Sequence, residues 1–182
     1  MIVKNYEISK IDLKSYKIFL FYGKNDGHKS DSIQHLIGNN NNIHRYDEKE
    51  VLDKPNNFFE NIFSGSLFEN ERIFIIKRAS DKILKIIEEI ISKKIENIII
   101  IIDTDNLEKK SKLRSFFEKQ KDIIISAFYP DNEQTLLRIA QNYLREKKIS
   151  ISPSNLNLII NKCNYERKNL INELHKIELY SQ

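Results

Sequence analysis

Gly23-Lys24-Asn25-Asp26-Gly27-His28-Lys29-Ser30 is the stretch on which the reading of this chain turns. It stands one residue away from the phosphate-binding pattern G-x-x-x-x-G-K-[ST]. That pattern joins a strand to a helix and cradles nucleotide phosphates in backbone N–H groups. Phe19-Leu20-Phe21-Tyr22 supplies the strand, and Gly23 opens the loop. Lys29 and Ser30 stand where the phosphate lysine and the magnesium hydroxyl belong, but the residue before them is His28 instead of glycine. Glycine serves there because the backbone must approach the phosphates and adopt conformations closed to a residue with a Cβ. The stretch reads as the loop of a nucleotide-binding fold whose site has been lost. The plainer alternative is that Gly23 and Gly27 merely turn the chain after its first strand.

A second segment points the same way. Ile98-Ile99-Ile100-Ile101-Ile102-Asp103 is an apolar run ending in a carboxylate, the pattern of a strand buried on both faces of a parallel sheet. In a nucleotide hydrolase such an aspartate faces magnesium, and a neighbouring acid orients the attacking water. Here Thr104 follows Asp103, so no water-activating acid stands beside it.

Composition bounds the class. The 182 residues are 40% hydrophobic and 31% charged, enough for a sizeable core in one large domain or a medium and a small one. A net charge of +4 permits contact with nucleic acid without arguing for it, because the lysines accompany equally heavy use of Ile and Asn. The single cysteine, Cys163, excludes an internal disulfide and a multi-cysteine zinc site; its helical spacing with Leu156, Ile159 and Ile160 makes it a small buried apolar residue. Met1-Ile2-Val3-Lys4 leads into a polar segment, unlike a secretory leader, and the longest pure isoleucine run is five residues, far short of a membrane span. A cytoplasmic protein without a membrane partner is expected.

Up to about Pro130 short apolar strands alternate with amphipathic helices, which predicts a parallel sheet with crossover helices. The strands are expected at Ile18–Tyr22, Ile43–Tyr46, Arg72–Lys77, Asn97–Asp103 and Ile123–Ala127. Phe58, Phe59, Ile62 and Phe63 form an apolar stripe on a helix beginning near Pro55, and Asp81 is the expected N-cap of a helix carrying Ile83, Ile86, Ile87 and Ile90. Beyond Pro130 the pattern is helical only. Glu133–Lys147 is one helix, Ser152-Pro153 opens a second, and Glu166–Tyr180 forms a third. The fold class is therefore α/β. The layout is that of an AAA+ module, with a RecA-like core with parallel sheet at residues 1–130 and a small three-helix lid domain at residues 131–182.

Several stretches, taken in order, resemble one family, the delta subunit of the bacterial DNA polymerase III clamp loader. Tyr22-Gly23-Lys24-Asn25-Asp26-Gly27 is similar to the family's first strand and emptied loop. Ser66-Leu67-Phe68 with Arg72-Ile73-Phe74-Ile75-Ile76 resembles its clamp-contacting turn and the strand after it. Ile101-Ile102-Asp103 through Leu107-Glu108-Lys109-Lys110-Ser111-Lys112-Leu113 resembles the signature around its fourth strand, and Asn169 to Ile177 the end of its lid.

The resemblance implies a clamp-loader subunit of the replicative holoenzyme, itself a DNA-directed DNA polymerase. Such a subunit binds the sliding clamp and holds it open for loading onto primed DNA, without binding ATP and without catalysis of its own. The implied partners are the clamp, ATP-binding and delta-prime type loader subunits, and primed DNA through the complex; no cofactor, metal or catalytic residue is implied. Ser66, Leu67 and Phe68 would form the clamp-binding element, with Gly65 standing where family members often carry another apolar residue. By their residue types alone Leu67 and Phe68 read first as local core after the Phe58–Phe63 helix, and it is the resemblance that reverses this. The family's helical collar domain is absent from these residues.

Two other functions compete. An active AAA+ or P-loop ATPase that tolerates His28 would use Lys29, Ser30 and Asp103 for magnesium nucleotide. A DNA-binding accessory protein would use Lys109-Lys110-Ser111-Lys112, a run that otherwise reads as a solvated helix face. The histidines His28, His35, His44 and His175 lack metal spacing, and Ser66 lacks the G-x-S-x-G elbow of a hydrolase nucleophile.

Overall fold

The computed structural model describes residues 1–13, 15–40, 42–64, 71–93 and 97–181. The chain divides into two compact units: Met1–Gly23 with Asp31–Phe128, and Lys24–Ser30 with Tyr129–Gln182. The eight loop and first-turn residues quoted at the outset are thus split. Gly23 goes with the sheet and the rest with the C-terminal helices.

The first unit is built on strands β1 (Ile18–Tyr22), β2 (Ile43–Asp47), β3 (Arg72–Lys77), β4 (Ile98–Thr104) and β5 (Ile124–Ala127). All run parallel, in the order β2-β3-β4-β1-β5. Four of the five are buried nearly throughout, while the edge strand β2 is half-buried. Isoleucine suits such strands because its branched Cβ fits the pleat, and burial on both faces leaves no reason for polar alternation. Register assigns the two faces: Leu20 lies beside Ile102 and Phe74 beside Ile100, and these even-numbered residues point to one side. Phe19, Phe21, Ile73, Ile75, Ile99 and Ile101 point to the other.

Helices cover both sides. On the even face lie α2 (Glu48–Asp53), α3 (Pro55–Phe63), α4 (Leu84–Ser92) and α5 (Lys112–Lys119), which bring Val51, Phe58, Ile62, Ile87, Ile90, Leu113 and Phe117 to the core. On the odd face α1 (Asp26–Ile37) contributes Ile33, Leu36 and Ile37, joined by Val3 and Ile8 from the N-terminal segment. Each fully buried Ile or Phe stabilises the fold by about 1.5–3 kcal/mol, so the sheet core dominates the stability of this unit.

The capping of α4 departs from expectation. Ser80, one residue earlier, accepts the cap hydrogen bond from the Lys82 N–H, and a 3-10 turn at Asp81–Ile83 leads into α4. Asp81 instead reaches the start of α5, where its carboxylate accepts from the backbone N–H groups of Lys112 and Leu113, at 3.0 Å each, and from the Ser111 hydroxyl at 2.6 Å. Burial pushes the Asp81 carboxyl up, but these hydrogen bonds outweigh it and hold the group below the usual aspartate range. A carboxylate at the N-terminus of the following helix has no local signature, because its partners lie thirty residues away in sequence.

The second unit holds α6 (Glu133–Glu146), α7 (Pro153–Lys162) and α8 (Arg167–Ser181). Asn132 caps α6 by accepting from the Thr135 N–H at 2.8 Å, and Ser152 caps α7 with Pro153 in its first turn. Leu136, Ala140, Leu144, Leu156, Ile160, Cys163, Leu170 and Leu174 form its core. On α6 Ile139 and Tyr143 are only half-buried, and Leu144 takes the deeper position. Among the described residues no helix is long and apolar enough to cross a membrane.

Candidate functional site

The strand order puts β1 between β4 and β5, the place in an open parallel sheet where a crevice forms beyond the strand ends. At that end the first unit holds Gly23 in a backbone conformation of φ +125°, with its N–H donating to the Asp105 carbonyl at 3.2 Å. A Cβ on Gly23 would lie 2.2 Å from the Phe128 carbonyl oxygen, so both the conformation and the space demand glycine. In the neighbouring strand Asp103, paired in register with Phe21, is half-buried. Thr104 is buried, and its hydroxyl donates to the Ala79 carbonyl. The position beside Asp103 thus serves the packing of the chain after β3.

The second unit contains the rest of the loop, and there the chain departs from a phosphate cradle. Asn25 acts as a helix cap: its side-chain oxygen accepts from the His28 N–H at 3.0 Å, so α1 begins at Asp26. Gly27 therefore sits in the first helical turn and does not make the bend expected of it. The Lys29 ammonium, buried to 3% exposure, folds back onto the Asp26 carboxylate at 3.0 Å. Ser30 lies exposed on the helix.

Over this turn lies an ion pair that sequence reasoning missed. Arg167, in the first turn of α8, donates to the Asp131 carboxylate through Nε at 2.8 Å and Nη2 at 2.6 Å. Asn25 Nδ2 donates to the same carboxylate at 2.8 Å and to the Tyr129 carbonyl at 3.0 Å. The Arg167 and Asp131 side chains are only 11% and 7% exposed. Burial raises the Asp131 carboxyl, yet the hydrogen bonds from Arg167 and Asn25 hold it below the ordinary aspartate value. Burial acts in the other direction on His28 and, with Arg167 nearby, lowers its imidazole to about 4; Asp131 opposes this only in part.

The route by which the chain delivers Arg167 is unusual. After α7, Asn164 and Tyr165 both adopt left-handed conformations, at φ 53° and 57°, which turn the chain sharply into α8. Such a conformation costs a residue with a Cβ about 1–2 kcal/mol. An arginine in the first turn also opposes the helix dipole. The turn and the helix start together bring the Arg167 guanidinium to its bidentate pair with Asp131. The start of α8 then packs directly on the loop: a Cβ on Gly27 would lie 2.9 Å from the Lys168 amide nitrogen and 3.2 Å from the Arg167 Cβ. The glycine that remains in the motif therefore makes room for a helix.

A cavity of about 380 Å³ adjoins this turn. Lys24, Arg167 and Lys168 face it, and so do Asp26, Asp131 and Glu166. Three cations and three carboxylates bring no net charge to the cavity, and the Arg167 guanidinium is paired with Asp131. The arrangement is suited to holding the loop closed.

No family model and no curated protein matches the sequence. Solved structures do match it. The DNA clamp loader delta protein of Bacillus subtilis superposes with a TM-score of 0.62 at 12% identity, over 96% of this chain and 56% of that one. A RuvB variant of Thermotoga maritima gives 0.58 at 16% identity, over 88% of this chain and 53% of that one. Domain III of the Thermotoga maritima replication initiation protein DnaA gives 0.51 at 16% identity, over 97% of this chain and 80% of that one. This is the RecA-like AAA+ fold. The chain spans about half the length of the clamp loader delta protein and of RuvB. Within the AAA+ fold the strand after which nucleotide phosphates would be held is β1, and here the loop that follows it is capped, paired and covered as described. Ser66, Leu67 and Phe68, the other expected site, lie outside the described residues.

Proposed function

We propose that this chain is a delta-type clamp-loader subunit of the replicative DNA polymerase III holoenzyme, which binds the sliding clamp and holds it open for loading onto primed DNA without binding ATP itself. The observation that carries the proposal is the buried Arg167–Asp131–Asn25 network closing over the loop at Gly27 and His28. Binding phosphates there would require breaking a bidentate ion pair and separating α8 from the glycine. The likeness to a clamp loader delta protein supports the choice among AAA+ functions. On this reading the subunit has no catalysis of its own. It acts in the cytoplasm beside ATP-binding and delta-prime type subunits and meets primed DNA through the complex. On this reading residues 1–130 are the core and residues 131–182 the lid, and stable assembly would need the collar domain that the family carries.

The clamp contact is assigned to Ser66, Leu67 and Phe68. Transfer of a Leu and a Phe side chain into an apolar pocket contributes about 1.5–3 kcal/mol each. Holding the ring open needs additional differential contact, since a ligand shifts an equilibrium only by its unequal affinity for the two states.

The retained Lys29 and Ser30, with the adjoining cavity, favour a second reading as an active ATPase. One experiment separates the two. The chain is tested for binding to the sliding clamp of its own organism, beside a Leu67→Ala/Phe68→Ala double variant, and for binding of magnesium ATP. The proposal expects clamp binding weakened about a hundredfold or more in the double variant and no nucleotide binding. Nucleotide binding lost in Lys29→Ala, without clamp binding, would establish the ATPase instead.

A further inference from the structure

In the second unit two cations beside the loop each hold an anion from the chain itself. The Lys29 ammonium has the Asp26 carboxylate at 3.0 Å; the lysine side chain is 3% exposed and the aspartate 71%. Arg167 holds the Asp131 carboxylate through Nε and Nη2, and Asn25 Nδ2 adds a third donor to it. Asp26, Asp131 and Arg167 line the same cavity of about 380 Å³. The backbone of the turn is engaged internally too. The Asp26 N–H donates to the Lys24 carbonyl at 3.1 Å and the His28 N–H to the Asn25 side-chain oxygen at 3.0 Å.

A buried ammonium or guanidinium needs an anion, because it has given up its hydration. In a working phosphate loop the nucleotide supplies that anion. A carboxylate meets the same demand: the guanidinium fork takes carboxylate and phosphate oxygens in one bidentate geometry, and an ammonium takes either as a point charge. An anion fixed in the chain also has an advantage over a dissolved one. Folding has already set its position, so no translational freedom is lost when the pair forms. Asp26 reaches Lys29 from three residues earlier on α1, and Asp131 is held by Asn25 as well as by Arg167. The charges of Lys29 and Arg167 against those of Asp26 and Asp131 sum to zero. Without the two carboxylates, two positive charges would remain beside the cavity.

We propose that Asp26 and Asp131 are internal stand-ins for phosphate: they occupy a latent phosphate site formed by Lys29, Arg167 and Asn25, and their neutralisation opens it to inorganic pyrophosphate. The inference rests on the ATP-free reading above and says what keeps the loop empty. If the loss of glycine at His28 were the sole obstacle, neutralising the carboxylates would restore nothing.

The test is isothermal titration calorimetry with inorganic pyrophosphate at constant ionic strength, on proteins whose folding is verified by circular dichroism. The variants are Asp26→Asn, Asp131→Asn, their double, and the double with Lys29→Met added. Glu88→Gln/Glu146→Gln, on exposed positions of α4 and α6, gives the same change of net charge elsewhere. The wild type and this charge control are expected to show no binding at about 1 mM, and the double variant to bind about a hundredfold tighter than the wild type. Each single variant should fall between them, and added Lys29→Met should remove the gain. A folded double variant that binds no tighter than the charge control would overturn the internal anions; if the wild type is then also blank, the ATP-free reading stands. A wild type that binds as tightly as the double variant would overturn both. Should the proteins with Asp131→Asn not fold, Asp26→Asn decides alone. A gain of about tenfold, lost again in Asp26→Asn/Lys29→Met, upholds the proposal, and affinity equal to the wild type removes it.

Discussion

Replacing Asp131 by Asn tests directly whether the closed loop is held by a buried ion pair. The substitution keeps shape and an acceptor for Asn25, but it leaves the Arg167 guanidinium, 11% exposed, without its counter-charge. Breaking a buried pair by removing one partner typically costs about 3–5 kcal/mol, because the remaining charge stays desolvated. Here the neighbouring cavity admits some relaxation, so a loss of about 3 kcal/mol is expected, a large part of the ~5–15 kcal/mol of a typical domain. Arg167→Met should lose about 2 kcal/mol, and the double variant little more than Asp131→Asn alone, giving a coupling energy near 2 kcal/mol. The assay is urea denaturation followed by far-UV circular dichroism on all four proteins. A pH series adds an independent arm. The folded-state pKa of Asp131 lies below its unfolded value, so its contribution is fully present above the ordinary aspartate range and is lost as pH falls through the lower folded value. That acid loss should be absent in Asp131→Asn. A coupling energy under about 0.5 kcal/mol would refute the reasoning, since it would mean that the pair is solvated and does not close the loop.

Three further expectations follow from the same geometry. Gly23→Ala should destabilise the chain by about 3 kcal/mol or more, because a left-handed strained backbone and a Cβ pressed on the Phe128 carbonyl act together; chemical denaturation reads this directly. His28, lowered from 6.5 to about 4, favours the folded state only when neutral, so stability should decline as pH falls from 6.5 toward 4, and His28→Gln should flatten that decline in thermal melts. Tyr143 in α6 donates to Glu178 in α8, and Glu178 also pairs with Lys147 at 2.7 Å. Tyr143→Phe should therefore cost only about 1 kcal/mol, read by denaturation, with the Lys147 pair remaining.

The sheet was legible because its signal is local. Four of the strands are short isoleucine- or phenylalanine-rich runs bounded by polar turns, the edge strand β2 is more polar, and the observed limits of all five fall within one residue of those expected. Caps with short reach were equally legible: Ser152 with Pro153, and the start of α3 at Pro55. Asp81 was misassigned because its partners, the amides at the start of α5, are remote in sequence. The site shows the same division. His28 in the glycine position and Thr104 after Asp103 are departures from the nucleotide motif that the residues alone display.

What closes that loop was not readable. Asn25, Asp131 and Arg167 lie more than one hundred residues apart at the extremes, and each alone is an ordinary surface-type residue. A basic first turn at Arg167-Lys168, set against the helix dipole, was the one local hint. The amino-acid sequence by itself determined the α/β pattern, the parallel sheet and the loss of the glycine, because these rest on side-chain periodicity and on backbone freedom at single positions. Only the tertiary structure decided that Gly27 makes room for α8 and that Asp131 holds Arg167 over the turn. Ion pairs and close packing are set by distances in space, and those exist only once the chain has folded.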